Sequence, residues 1–531
     1  METDSKMSSK EVRLAANIGR NKYFAITFGA IMVVFIACYW YYAAYMRFGS
    51  RSHGPLMQKL LQRRRAGARF LSKSTFGLHR ERWILYLIYW AVNLILALTD
   101  VDLTNLKYVA KRFGWMSVAN FVLLVFLALK NTLLAPLSGH SYEKLRPLHK
   151  TAGYTCIVTT MLHASIYLSS YGLSGDLDNM RETSNIAGGI AGLAMVIIGF
   201  STITWLARNY YEAFYAIHIS MFFLIIVMVG MHRPDFATST LIIIIFTACL
   251  WLADRLLRLG KLCWNYFGNY ATITPMADGA VRVKLHRRLP CTPGSHAFLW
   301  MPSIRVFETH PFTLVSADPA EFLIRQYNGY TRSLYKAAQA QPGKVIRCSV
   351  DGPYGQVPDF MNFDRVILIA GGSGATFTIS IALNMIRDAA AANVSKTVDF
   401  IWAVKHSESL RWFEQELQEL QDSSRVNFLV YVSRDDPGSD SSSLDSTGLI
   451  GDLEKSKEGI TGQTIHLVGV RKGRPDIPNL VAYCISQCGI ESRIGVGACG
   501  PAQMIKAIRE TVSKETYDKG PSTTLHTEVS C

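Results

Sequence analysis

His149 and His163, and again His218 and His232, form two histidine pairs in apolar, helix-like stretches, each pair with the same separation of 14 residues. At about 100° and roughly 1.5 Å per residue, fourteen steps bring an α-helix almost back to the same face while advancing it by about 21 Å. One helix can therefore carry two imidazoles, stacked toward opposite surfaces of a membrane. Two such helices facing each other offer four imidazoles, enough for two six-coordinate bis-histidine irons, and neutral imidazole is a suitable iron ligand. The chemistry this predicts is haem rather than zinc. Each histidine taken singly also reads as a hydrogen-bonded core residue, but two equal spacings weigh against that.

The elements that would position these side chains are membrane helices. The chain has 531 residues, 49% of them apolar, and the positive mean hydropathy is concentrated in the first half. Seven stretches of roughly membrane length run over residues 23–46, 82–98, 115–134, 148–167, 188–207, 211–231 and 238–256. The segment 47–82 carries Arg63, Arg64, Arg65, Arg69, Lys73 and Arg80, which the positive-inside rule places in the cytosol. Alternation then puts the N-terminus outside and the C-terminal region inside. The loop 171–187, with Asp176, Asp178 and Glu182, becomes external. His149 and His218 become the inner ligands, His163 and His232 the outer ones, so an electron from the cytosol would cross the ~30 Å hydrocarbon layer in two shorter hops. The net charge of +15 mostly reflects this topology. No basic, aromatic-interleaved patch in the soluble half points to nucleic acid.

The first apolar run is long, which suits a retained anchor more than a cleaved signal peptide. None of the ten cysteines falls in an expected external loop, so extracellular disulfides are not expected. Cys484 and Cys488 share a helical face, and four-residue spacing without partner ligands reads as packing.

Beyond a boundary near residues 258–264 the pattern changes to alternating apolar residues, Gly/Pro turns and short helical repeats, as in a soluble α/β region. A strand-like run, 297–301, precedes His310, Pro311, Phe312, Thr313, Leu314, Val315 and Ser316, an aromatic and hydroxyl cluster suited to lining a flavin ring. A turn at Asn328 and Gly329 leads to Thr331 and Arg332, where the free N–H groups of a helix start and one Arg suit a pyrophosphate. The strand 366–370 runs into Gly371, Gly372, Ser373 and Gly374 before a helix, an arrangement that lets backbone amides approach a dinucleotide phosphate although the GxGxxG spacing is absent. A second strand, 398–404, ends at Lys405, a cation for the 2′-phosphate of NADPH. A third, 493–498, ends in Cys499, Gly500 and Pro501, at the carboxyl edge where doubly wound sheets bind ligands, so that Cys499 would face the nicotinamide. Singly, each segment also reads as strand edge, steric glycine turn, solvated loop charge or small buried residue. Residues 435–447 read as a flexible surface insertion without chemistry, and the sequon at Asn393 falls on the cytosolic side, unused.

Across residues 112–504 the chain resembles the fungal ferric reductases of the superfamily that also holds plant ferric-chelate reductases and NADPH oxidases. The residues that carry the resemblance are GHSYEKLRPLHKTAGY around His149, RNYYEAFYAIH leading to His218, HPFTLVS at His310, DGPYG at Asp351, AGGSG at Ala370 and CGP at Cys499. The resemblance implies bis-histidine ligation of two haem b groups by the four histidines, FAD at His310 to Thr313, and NADPH at the glycine turn and Cys499. It implies a tail at 1–22, a helical haem domain at 23–262, an antiparallel β-barrel FAD domain at 263–360 and a doubly wound α/β NADPH domain at 361–531. The implied activity is transfer of electrons from cytosolic NADPH to ferric chelates, or cupric ions, across a membrane, most simply the plasma membrane, in iron uptake. The equal spacing of both pairs resembles the metalloreductases more than the oxidases. Two features depart from the pattern: only about twenty residues precede the first span, and the chain ends Glu528, Val529, Ser530, Cys531 rather than in an aromatic that could cover a flavin. Two other readings stay open at this point, a superoxide-generating NADPH oxidase with the same cofactors and a non-catalytic membrane scaffold that has kept the fold.

Overall fold

Helices of membrane length precede two β-rich modules. The computed structural model describes residues 9–48, 63, 66–67, 70, 74–75, 78–132, 134–233, 238–434, 469–489, 492–516 and 522–529. Most of the basic segment 47–82 and the whole of 435–447 lie outside the described residues. The chain divides into two units, Met1–Ala43 with Glu81–Arg258, and Ala44–Arg80 with Leu259–Cys531.

The first unit is built on α1 (Ser9–Phe48), α2 (Arg80–Leu98), α3 (Leu106–Phe126), α4 (Tyr142–Ser174), α5 (Thr183–Ser201), α6 (Tyr211–His232) and α7 (Thr238–Tyr266). Among the described residues α1, α3, α5, α6 and α7 are long and apolar enough to cross a membrane. The chain is an integral membrane protein. α4 is longer than most of them but more polar, and several of its hydroxyls are satisfied within the helix: those of Thr151, Thr155 and Thr159 donate to the carbonyls of Pro147, Thr151 and Thr155. It carries His149 and His163.

Helix ends differ from the hydropathy reading: α1 begins at Ser9 rather than near 23, α7 runs on to Tyr266 rather than 256, and α3 begins at Leu106 rather than near 115. Asn105 caps it by accepting a hydrogen bond from Lys107 N at 3.1 Å. Arg112, a charge that hydropathy excludes from a span, is buried inside this helix because its guanidinium caps another. It donates to the carbonyls of Leu96, Thr99 and Asp100 at 3.1, 3.0 and 2.9 Å, the open C-terminal end of α2. α4 likewise outruns the expected 148–167, and Gly175, at φ 73°, closes it in the left-handed conformation.

The second unit holds a barrel of β1 (Tyr270–Met276), β2 (Ala280–Leu285), β3 (His296–Trp300), β4 (His310–Ala317), β5 (Ala320–Arg325), β6 (Lys344–Arg347) and β7 (Ser349–Tyr354), with α8 (Tyr330–Ala340) between β5 and β6. The strands pair antiparallel in the order β6-β1-β2-β5-β4-β3-β7. Its edge strands β6 and β7 are separated in sequence by Cys348 alone, so the sheet must curl until its edges approach. Ile273, Val283, Leu299, Leu314 and Phe322 fill it, with Leu334 and Ala338 of α8.

An all-parallel sheet follows, made of β8 (Arg365–Gly371), β9 (Thr397–Val404), β10 (Val426–Val432), β11 (Val470–Lys472), β12 (Arg493–Gly500) and β13 (Ser522–Val529), in the order β11-β10-β9-β8-β12-β13. Helices α9 (Ala375–Ala391), α10 (Glu414–Asp422), α11 (Ile477–Ser486) and α12 (Ala502–Glu515) make the crossovers. Near-continuous apolar runs such as Val366–Ala370 are what a sheet covered on both faces requires. At the amino edge Arg365 grips Asp399 with two hydrogen bonds, 2.6 and 2.8 Å, and Asn427 adds a third at 2.7 Å, tying β8, β9 and β10 together. Cys484 and Cys488 lie beside this pair, Cys488 just beyond the end of α11. Burial pushes both thiols up, so they sit as neutral packing groups.

Candidate functional site: facing histidine pairs and two nucleotide-side clusters

α4 and α6 bring the four histidines together in two pairs. The rings of His149 and His218 have centroids 6.5 Å apart, and those of His163 and His232 are 5.8 Å apart. Two imidazoles whose nitrogens each lie about 2 Å from one metal ion have ring centres about 6 Å apart. Among the described residues no group of three His, Cys, Asp or Glu is placed to hold a metal ion. Among the described residues each pair thus offers two such donors.

Neighbouring helices orient the rings. Nδ1 of His149 lies 2.9 Å from Leu124 O and that of His163 lies 2.7 Å from Ala110 O, both on α3. Nδ1 of His232 lies 2.7 Å from Ser184 O on α5. A carbonyl can only accept, so these Nδ1 atoms carry protons and leave the Nε2 lone pairs for a metal. Glycine makes the approach possible. A Cβ on Gly188 would stand 2.5 Å from His232 Nδ1, and one on Gly114 would stand 3.0 Å from His163 Nδ1. His218 Nδ1 is buried and has no hydrogen-bond partner among the described residues.

In the barrel, β4 carries His310, Pro311, Phe312 and Thr313 as a strand paired with β3, Pro311 opposite Phe298 and Thr313 opposite His296. The sequence reading missed Tyr330. Its ring lies 4.6 Å from that of His310 and 6.2 Å from that of Phe312, and its buried hydroxyl has no partner among the described residues. Glu308 Oε2 is 3.1 Å from His310 Nε2. Gly329, at φ 74°, turns the chain into α8, and Thr331 Oγ1 accepts from Tyr327 N at 2.8 Å. Arg332 is exposed beside a cavity of about 380 Å3 whose walls also include Gly279, Arg325, Tyr327 and Asn328.

The carboxyl edge of the parallel sheet joins the remaining residues. β8 and β12 are adjacent, with Ala370 opposite Cys499, so the turn Gly371, Gly372, Ser373 and Gly374 lies against Cys499, Gly500 and Pro501. The fit leaves no room for a side chain, since a Cβ on Gly374 would stand 2.3 Å from Cys499 O. Trp402, fully buried on β9, donates from Nε1 to Gly372 O at 2.9 Å and holds the turn, a role that only a register can reveal. Lys405 is exposed one residue past the end of β9, next to this edge. The five groups named from sequence are therefore two clusters, His310 to Thr313 with Thr331 and Arg332 following β5, and Lys405 with the glycine turn and Cys499 to Pro501 on the parallel sheet.

Three protein families match successive parts of the chain: the ferric reductase like transmembrane component over residues 113–229, the FAD-binding domain over 270–358 and the ferric reductase NAD binding domain over 363–513. The chain is 28% identical to a probable cell surface ferric reductase of Aspergillus oryzae, over 60% of this chain and 46% of that protein. It is 26% identical to ferric/cupric reductase transmembrane component 2 of Saccharomyces cerevisiae, over 78% of this chain and 60% of that one. The chain carries the transmembrane and NAD-binding domains of ferric reductases with a FAD-binding domain between them. It spans about half to three fifths of the length of these two relatives. A similarly described ferric/cupric reductase component of Schizosaccharomyces pombe, 23% identical, is matched over 79% of its length. The barrel is thus the FAD-binding domain and the parallel sheet the NAD-binding domain.

Proposed function

We propose that this chain is a transmembrane ferric-chelate reductase that moves electrons from NADPH through FAD and two haem b groups to ferric chelates, with cupric ions as a further acceptor. The observation that carries the reading is the pair of facing imidazole couples in membrane helices of the same chain that holds FAD- and NAD-binding domains. Two protein donors per site suit a metal that arrives with its equatorial ligands already in place, which is what a porphyrin provides. Bare glycine surfaces beside the 163/232 rings and carbonyl-locked Nδ1 atoms support the same assignment.

In this reading His149 and His218 hold one haem and His163 and His232 the other. His310, Pro311, Phe312 and Thr313 line the flavin ring, and Thr331 and Arg332 take its pyrophosphate. Gly371 to Gly374 receive the dinucleotide phosphate on backbone N–H groups, Lys405 meets the 2′-phosphate, and Cys499, Gly500 and Pro501 border the nicotinamide. When bound, these groups supply hydride donation, the change from paired to single electrons and one-electron carriage across the membrane. The protein supplies placement. Positive-inside topology supports a cytosolic C-terminal half and an acceptor that meets the 163/232 end from outside; the apolar helices take membrane lipid around them, and the likeness to a cell surface ferric reductase supports the plasma membrane.

The test is NADPH-driven reduction of a ferric chelate by membranes containing the protein, with and without oxygen and with superoxide dismutase. Reduction that persists without oxygen and resists the dismutase is expected. Loss under either condition would make superoxide the product and the protein an NADPH oxidase.

A further inference from the structure

The helix pairs α3/α4 and α5/α6 are built alike, each an antiparallel couple in which one helix carries two histidines and the other supports them. On α3 the supporting carbonyls are Ala110, for His163, and Leu124, for His149, fourteen residues apart as the histidines are. On α5 the carbonyl of Ser184 supports His232. Fourteen residues further along α5, opposite His218 by the same antiparallel count, stands Ile198. Its carbonyl is already used twice. It accepts from Thr202 N at 3.1 Å and from Ser201 Oγ at 2.7 Å, which fills both lone pairs of a backbone oxygen. The Leu124 carbonyl has no such competitor, because Ala128 N turns to Val125 O and leaves it open at the end of α3. Ser201 is itself buried, so its hydroxyl has no solvent to turn to.

We propose that Ser201 is a positioning residue that keeps His218 unanchored, so that the 149/218 pair binds its haem through one strong and one weak imidazole. A hydrogen bond from Nδ1 to a carbonyl raises the basicity of the ligating nitrogen and favours the ferric ion. The 163/232 pair has two such bonds and the 149/218 pair has one. By this difference the 149/218 haem has the higher potential and is the easier of the two to reduce. The inference rests on the bis-haem reading above.

The experiment is potentiometric titration of the purified holoprotein, followed by optical and electron paramagnetic resonance spectra, for wild type, Ser201→Ala and Ser201→Thr. Haem is first counted as the pyridine complex; fewer than two per chain in wild type would refute the bis-haem reading itself. With two present, Ser201→Ala frees the Ile198 carbonyl for His218 Nδ1. One low-spin ferric signal and its midpoint then shift, the midpoint downward, while the other component stays. Ser201→Thr keeps a hydroxyl that can bond back to its helix, and is expected to reproduce wild type. Two unmoved midpoints in Ser201→Ala, or the same shift in both variants, would overturn the proposal.

Discussion

At the scale of single residues, the site is shaped by which side chains are missing as much as by those present. Gly374 abuts the Cys499 carbonyl, and Lys405 stands at the carboxyl edge of the sheet as an exposed cation. A contact between an ammonium and a phosphate contributes about 1.5–3 kcal/mol, so Lys405→Glu should raise KM for NADPH about tenfold or more and leave KM for NADH unchanged. Steady-state kinetics with both nucleotides checks this, and equal changes would remove the role. The histidines are specified less by their own chemistry than by what meets Nδ1. That partner is a backbone carbonyl and has no signature in residue type.

At the scale of elements, α3 and α5 act as templates for the helices that carry the histidines. Each sets a supporting carbonyl four residues before a glycine that faces the same ring, Ala110 with Gly114 and Ser184 with Gly188. Replacing a helical glycine by alanine ordinarily gains about 1 kcal/mol of helix stability. Gly188→Ala should do the opposite of what propensity says for cofactor content: its methyl would stand against His232, and haem should fall from two per chain toward one. Gly189→Ala, whose Cβ meets nothing within 4 Å, should keep both. Pyridine haemochrome assay of the two purified variants decides it, and equal haem in both would refute the cradle. The same logic explains α3, whose true start hydropathy misses because Arg112 serves the end of α2 rather than solvent.

At the scale of the whole molecule, the membrane helices and the two nucleotide-binding domains fall in different compact units. Modules with separate cores can lose function separately. His163→Leu should therefore abolish ferric-chelate reduction and remove one haem, while NADPH-driven reduction of a soluble dye by the flavin continues unchanged. Loss of dye reduction along with the haem would mean that the units are coupled for folding.

Periodicity and turn chemistry are local properties, and they are legible in the sequence: fourteen residues between histidines, seven apolar stretches, a strand at 366–370 running into a glycine turn and a helix start after Gly329. The side-by-side placement of Gly374 and Cys499 is not. It follows from β8 and β12 being neighbours although more than a hundred residues separate them, a pairing set by packing on both faces of the sheet. Tyr330 against His310, Trp402 on the Gly372 carbonyl and the orphaned Nδ1 of His218 are of the same kind. Residue types and their local spacing specify which residues could bind and how far apart they lie along each element. Which of them meet follows from the fold, because contacts between elements depend on register and on backbone atoms that every residue shares.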